Sequence, residues 1–137
     1  VKLLDVNYKS VDKFYTGDDI ILQFKYLNLT KITKEKVVFV FSLYRHDDFY
    51  ICGNTTLMDG LSPFTPENEG IVEVRFPNIR LLSGSYKFRV AVDDERGIGI
   101  FTEAFTQPFE IEDNFEAVGL INLERNWDIK RGDLWKE

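Results

Sequence analysis

The sequence has little of the chemistry on which most enzymes depend. Its 137 residues include one cysteine, one histidine and one methionine. A hydrolytic triad would need His46 as its base, but His46 lies in a polar turn where we expect it to be solvated. Zinc sites need several Cys or His ligands, and the sequence has no G-x-x-x-x-G-K-[ST] phosphate loop. We therefore predict a non-catalytic chain without a cofactor, and a calcium site at Asp93-Asp94-Glu95 is only a weak alternative.

The lone cysteine and the absence of a long apolar run narrow the setting of the chain. Cys52 excludes an internal disulfide, and the apolar stretch Tyr50-Ile51-Cys52 predicts a buried thiol in a reducing compartment. No apolar run approaches the roughly 20 residues that span a bilayer. The start, Val1 to Asp5, lacks a signal-peptide pattern and has no Met. We expect that the chain is cut from a longer protein.

Basic residues are too few for a nucleic-acid partner. Seventeen Lys and Arg stand against 23 Asp and Glu, which gives a net charge of −6. Phosphate contacts need clustered Lys and Arg, so the charge balance excludes nucleic acid and disfavours an anionic membrane surface.

The dominant hydrophobic period is two, which indicates strands with one buried face. The residues from Ile20 to Leu27 alternate in this way, and no convincing amphipathic helix appears. The predicted strands are Lys2 to Tyr8, Asp19 to Asn28, Lys36 to Arg45, Phe49 to Asn54, Gly70 to Phe76, Gly84 to Asp94, Gly99 to Thr102, Phe105 to Glu112 and Ala117 to Trp127. Many short strands joined by polar turns predict an all-β, antiparallel, two-sheet sandwich or jelly roll. We assign residues 1–127 to this domain and 128–137 to a charged tail.

Aromatic residues are the informative excess, at 15% of the chain. Most should fill the core, but exposed rings beside mixed polar groups suit a glycan, because sugars stack their apolar faces on aromatic rings. The outward phase of the strands supplies the candidate polar ligands, with Tyr44 and Trp127 as stacking platforms. The candidate carbohydrate-binding residues are Gln23, Lys25, Tyr44, Glu73, Arg75, Lys87, Arg89, Asp93 and Trp127.

Several phrases in order along the chain resemble one known family. They are Val37 to Arg45, Cys52-Gly53-Asn54-Thr55 with Asp59-Gly60, Leu82 to Val92, Phe109-Glu110-Ile111 and Gly119 to Trp127. Together they are similar to the C-terminal carbohydrate-binding domain of Wzt-type ATPase subunits, which serve ABC transporters that export lipid-linked O-antigen polysaccharide.

This resemblance implies an immunoglobulin-like β-sandwich that binds the glycan along one sheet face. It also implies a cytoplasmic location at the inner membrane, through the transporter's membrane subunits. A separate N-terminal ATPase domain would bind ATP and Mg. The family further implies a homodimer in which the last strand, here Ala117 to Trp127, crosses to the other subunit.

Two other functions remain open from the residues alone. Val37 to Leu43 is almost continuously apolar, so Val38, Val40 and Tyr44 need a cover, which a protein partner, a ligand or a loop of the chain would supply. The chain also fits a carbohydrate-binding appendage of a secreted glycosidase, which upstream sequence would reveal.

Overall fold

Strands account for nearly all the regular structure in the computed structural model, which describes residues 1–115 and 117–130. The elements in chain order are β1 (Lys2–Leu4), β2 (Lys13–Tyr15), β3 (Ile20–Tyr26), α1 (Leu29–Ile32), β4 (Val37–Arg45), β5 (Tyr50–Thr55), β6 (Gly70–Phe76), β7 (Gly84–Asp94), β8 (Ile100–Phe105) and β9 (Phe109–Glu112). No helix in the described ranges is long and apolar enough to cross a membrane.

The strands form two sheets of unequal size. The smaller sheet has the order β1-β3-β6, and the larger has the order β2-β9-β7-β4-β5. Strand β8 also pairs with β7, beyond the point where β9 ends its pairing, so the larger sheet has six strands. All pairings are antiparallel except that of β2 with β9. The predicted all-β sandwich is confirmed.

Aromatic rings from both sheets fill the space between them. Phe88 of β7 stacks between Phe76 of β6 and Phe109 of β9, with ring centroids 5.2 and 5.4 Å apart. Ile20 and Leu22 of β3 are completely buried against this cluster. The alternating apolar residues of β3 and β7 therefore form the inner faces of these strands, as a period of two predicts.

The ends of several predicted strands are wrong because local turns intervene. Strand β1 stops at Leu4, since the Asp5 carboxylate accepts the N–H groups of Asn7 and Lys9 and turns the chain. The predicted break between Thr102 and Phe105 does not exist. The chain breaks instead at residues 106–108, where Pro108 has no N–H to donate to a ladder. The short strand β2 and the one-turn helix α1 were not predicted.

The segment after β9 is not the continuous strand that the sequence predicts. Between Ala117 and Trp127 it forms one isolated bridge, Leu81 with Ile121, flanked by hydrogen bonds between residues 80–82 and 120–122. Gly119 adopts a φ of 103°, which an extended strand does not allow. No partner chain is present, so exchange of this segment between subunits stays a prediction. The predicted tail lies partly outside the described residues, since 131–137 are not among them.

Two predictions about single side chains have opposite outcomes. Cys52 is exposed, not buried as predicted. It lies on β5, which is the edge strand of its sheet among the described residues. A register shift between Leu43 and Tyr44 also interrupts the pairing of β5 with β4. His46 is exposed in the turn after β4, as predicted.

Candidate functional site

Three aromatic side chains lie in a row on the outer face of the larger sheet. Tyr50 of β5 and Tyr44 of β4 have ring centroids 5.4 Å apart, and Tyr44 and Phe105 of β8 are 6.4 Å apart. Tyr50 is 54% exposed and Phe105 48% exposed, while Tyr44 between them is half-buried. We call these three residues the aromatic row.

Strand pairing explains why the row crosses the sheet rather than following one strand. Tyr44 stands opposite Tyr50 on one side and opposite Lys87 of β7 on the other. Phe105 follows on β8, opposite Arg89. The row therefore crosses from β5 over β4 and β7 to β8, with neighbouring ring centroids 5.4 and 6.4 Å apart.

A glycine keeps Tyr50 against the sheet. A β-carbon at Gly53 would collide with the Tyr50 hydroxyl and would lie 2.8 Å from the Phe41 carbonyl oxygen. Any larger residue at this position would therefore force the Tyr50 hydroxyl or the Phe41 backbone to shift, since real β-carbons do not approach other heavy atoms so closely. Gly53 belongs to the site for a steric reason.

Two ion pairs lie along the aromatic row. The Lys87 amino group is 5.5 Å from the centre of the Phe105 ring and forms an ion pair with Asp48 in the turn before β5. The Arg89 Nε donates to Glu103 Oε2 at 2.5 Å. Both cations are largely buried, with 26% and 13% of their side chains exposed. The face therefore offers rings for stacking and fixed polar groups for hydroxyls.

Asp93, predicted to face solvent on this same face, is buried instead. It is 6% exposed, and its Oδ1 has no hydrogen-bond partner among the described residues. Burial raises the pKa of its carboxyl group, and the Arg89 charge opposes that shift. Val38, opposite it on β4, is also fully buried. The sheet is covered on both sides at this end, so Asp93 is not available to a surface ligand.

Three other predicted residues, Gln23, Glu73 and Arg75, meet on the outer face of the smaller sheet. The Gln23 amide donates to Glu73 Oε2 at 2.8 Å, and the Tyr8 hydroxyl donates to Glu73 Oε1 at 3.1 Å. Arg75 donates to the Tyr8 hydroxyl and lies 5.7 Å from the centre of that ring. Lys25 is exposed next to this network. The polar groups here satisfy one another, and the one ring is already covered by a cation.

Trp127 belongs to neither face. It is 82% exposed and shares a shallow pocket with Arg80 and residues 122–126. The nine predicted residues thus fall into four places, and only Tyr44, Lys87 and Arg89 lie together on the aromatic face.

Sequence reasoning missed five residues of this site: Tyr50, Gly53, Phe105, Asp48 and Glu103. Their signal was present, because Tyr50 and Phe105 are aromatic residues on edge or neighbouring strands. The sequence could not assign these two rings to the face of Tyr44. The predicted strands separated Phe105 from Thr102, and the register shift beside Tyr44 is not visible in the sequence.

The fold and this face define a binding domain of the β-sandwich class. Exposed rings in a row, flanked by paired charges, are suited to holding a ligand. The described residues contain no group of three or more His, Cys, Asp or Glu side chains that could hold a metal ion. The exposed rings and paired charges present a surface suited to recognition.

Comparison with known proteins gives the family. The Wzt C-terminal domain family matches residues 1–123, and the chain belongs to that family. It is a family of carbohydrate-binding domains of ABC transporter ATPases. The resemblance found in the sequence is thereby confirmed.

One solved structure supports the fold. The crystal structure of the C-terminal domain of Wzt is similar, with a TM-score of 0.67 at 10% identity, over 94% of this chain and 80% of that one. A β-glucuronidase from Parabacteroides merdae has a TM-score of 0.37 at 17% identity, over 80% of this chain and 12% of that one. A search of curated proteins gave no match.

Proposed function

We propose that this domain binds lipid-linked O-antigen polysaccharide on the aromatic row and recruits it to an ABC transporter for export. The observation that carries the proposal is the row itself, Tyr50, Tyr44 and Phe105, with exposed rings on a sheet face of a Wzt-family domain. The transporter, the inner-membrane location and a separate ATPase domain that uses ATP and Mg belong to this proposal by family membership.

Stacking explains how such a face holds a sugar chain. Each pyranose has an apolar C–H face that packs on an aromatic ring, and the row offers about three such positions, one per ring. Hydroxyls at the rim reach the polar atoms of Asp48, Lys87 and Glu103. Because sugars exchange hydrogen bonds with water for similar ones with protein, binding per site is weak, and two sites in a dimer strengthen it.

The rival function as a protein-interaction module has less support. It relied on an apolar surface at Val38, Val40 and Tyr44. Val38 is fully buried by the chain itself and Val40 is half-buried, so the exposed part of that surface is the aromatic row. The other alternative, a carbohydrate-binding appendage of a secreted glycosidase, would be distinguished by the sequence upstream of these residues.

The direct test is a titration with the polysaccharide of the source organism. Tyr44→Ala should weaken binding roughly tenfold, because it removes the central ring of the row. Tyr15→Ala is the matched control, since Tyr15 is 56% exposed on β2, away from the row. Isothermal titration calorimetry measures both variants. Equal affinities for wild type and Tyr44→Ala would contradict the proposed site, and no binding by wild type would contradict the function.

The proposed homodimer has its own test. The segment after β9 exposes large apolar side chains, among them Leu123 at 72% and Trp127 at 82%. An exposed apolar segment of this kind is suited to packing on a second copy. Light scattering should give twice the mass of the chain, and Leu123→Lys with Trp127→Lys should give the monomer mass. A monomeric wild type would contradict the dimer and leave the glycan site untouched.

A further inference from the structure

The cations beside the aromatic row are not free. Lys87 is paired with Asp48 and Arg89 with Glu103, and both pairs join neighbouring elements of the same face. Arg89 is held at 2.5 Å through its Nε with only 13% of its side chain exposed. A ligand that lies on Tyr44 and Phe105 therefore meets cations that carboxylates of this chain already neutralise.

An acidic sugar would have to compete with one of these carboxylates for its cation. The carboxylates of Asp48 and Glu103 are tethered beside their partners, so each competes at a high effective concentration. A displaced carboxylate also stays near the ligand and repels it, and like charges brought together at a binding face oppose association. A hydroxyl can share a paired carboxylate or amino group without breaking the pair.

The charged groups around the aromatic face also leave it with an excess of negative charge. Three carboxylates, those of Asp48, Glu103 and the buried Asp93, stand near Lys87 and Arg89. The chain as a whole carries a net charge of −6. Long-range attraction therefore does not draw an anionic polymer to this face.

We infer that the glycan of the aromatic row is an uncharged polysaccharide, without uronic acid, phosphate or sialic acid groups on the sugars that stack. This inference rests on the proposed function and narrows its ligand to a chemical class. The paired ions act as hydroxyl-binding groups of fixed orientation, and their mutual pairing excludes acidic chains. Lys87, beside the row and 5.5 Å from the centre of the Phe105 ring, orients a sugar and does not neutralise one.

The first experiment separates the inference from the proposed function. Polysaccharide released from the lipopolysaccharide of the source organism is divided by anion exchange into an unretained, uncharged fraction and a retained, acidic fraction. We expect the domain to bind the uncharged fraction, measured by biolayer interferometry. Equal or tighter binding of the acidic fraction would overturn the inference and leave the proposed function standing. Binding of neither fraction would overturn both.

The second experiment removes the carboxylates that pair with Lys87 and Arg89. Asp48→Asn with Glu103→Gln removes both carboxylates, and Asn suits the positive φ of 68° at position 48. Wild type should show no binding to polygalacturonate. The double variant should bind it at low salt, with affinity raised about tenfold or more over wild type. Added salt should abolish the gain, since exposed charges are screened.

A matched control removes two similar pairs elsewhere. Glu112→Gln frees Lys13 on β2, and its carboxylate is 49% exposed against 45% for Glu103. Asp128→Asn frees Lys130, and Asp128 is 77% exposed, as is Asp48. This control changes the net charge equally and should gain no polygalacturonate binding. An equal gain in control and test variants, or no gain in either, would overturn the inference.

Discussion

The two outer faces of this sandwich use similar residues for different ends. On the smaller sheet, Arg75 covers the ring of Tyr8 and the carboxylate of Glu73 accepts from Tyr8 and Gln23. On the larger sheet, Lys87 likewise lies 5.5 Å from the centre of the Phe105 ring, but Tyr44 and Tyr50 extend the row beyond that ring, and Tyr50 is 54% exposed. A face with several rings in a row keeps stacking surface that a single cation does not cover.

The difference comes from strand pairing more than from composition. Gln23 stands opposite Glu73 in one register, so neighbouring side chains close on each other. Tyr44 stands between Tyr50 and Lys87, so rings follow one another across the strands. Cross-strand neighbours decide which groups interact on a sheet face.

The largest expected change in stability tests whether the two outer faces enclose one shared core. Phe88→Ala should lower the free energy of unfolding by about 3–5 kcal/mol, because it leaves a cavity between Phe76 and Phe109. Urea denaturation measures this. Phe105→Ala, the same change on the exposed row, should alter stability by less than about 0.5 kcal/mol. Comparable losses at the two positions would break the distinction between core and face.

A smaller change in stability, that of Asp93→Asn, tests where the exposed part of the larger sheet ends and its covered part begins. The pKa of Asp93 is raised above its ordinary value of 3.8 by burial, so the folded state favours its protonated form. Its charge therefore destabilises the fold at neutral pH, and this destabilisation disappears as the pH falls below the unfolded-state pKa. Asp93→Asn should stabilise the domain by about 1 kcal/mol at pH 7.

The pH dependence and the neighbouring carboxylate supply the controls for Asp93→Asn. Near pH 3 wild type and variant should be equally stable in urea, because both side chains are then uncharged. Asp94→Asn should have the opposite sign at pH 7. The Asp94 carboxylate accepts the N–H groups of Arg96, Ile98 and Gly99, which hold its pKa low. A loss of stability in Asp93→Asn would show that its carboxylate is satisfied.

The smallest effect concerns the closed network of the smaller sheet. Tyr8→Phe removes the hydroxyl that joins Glu73 and Arg75, and should lower stability by about 0.5 kcal/mol, as for an exposed hydrogen bond. Glycan affinity should not change in the same titration. A marked loss of affinity would move the binding site to this face.

Local alternation predicted the main core side chains of β3 and β7. Ile20, Leu22 and Phe88 are all buried as expected, because successive side chains of a strand point to opposite faces. Alternation also gave Tyr44, Lys87 and Arg89 an outward phase, and the pairing of β4 with β7 brings them to one outer face. The phase of a side chain depends only on neighbours along the chain, whereas the shared face depends on strand pairing.

Alternation could not predict the features that depend on distant segments of the chain. Asp93 has the phase of an exposed residue, yet β8 and the covered end of the sheet bury it. Tyr50 joins the row through a register shift in β4. The end of β1 and the break at residues 106–108 follow from turns that a period of two does not reveal. Predicting a site face requires knowing what lies beside and above each strand.

The central claim is tested most directly by mapping the ligand on the folded domain. Amide chemical shifts of the ¹⁵N-labelled protein are followed while the polysaccharide of the source organism is added. We expect the largest shifts at Tyr44, Tyr50, Lys87 and Phe105, and unchanged signals at Gln23, Lys25 and Glu73. Shifts confined to the smaller sheet, with the aromatic row unaffected, would contradict the account.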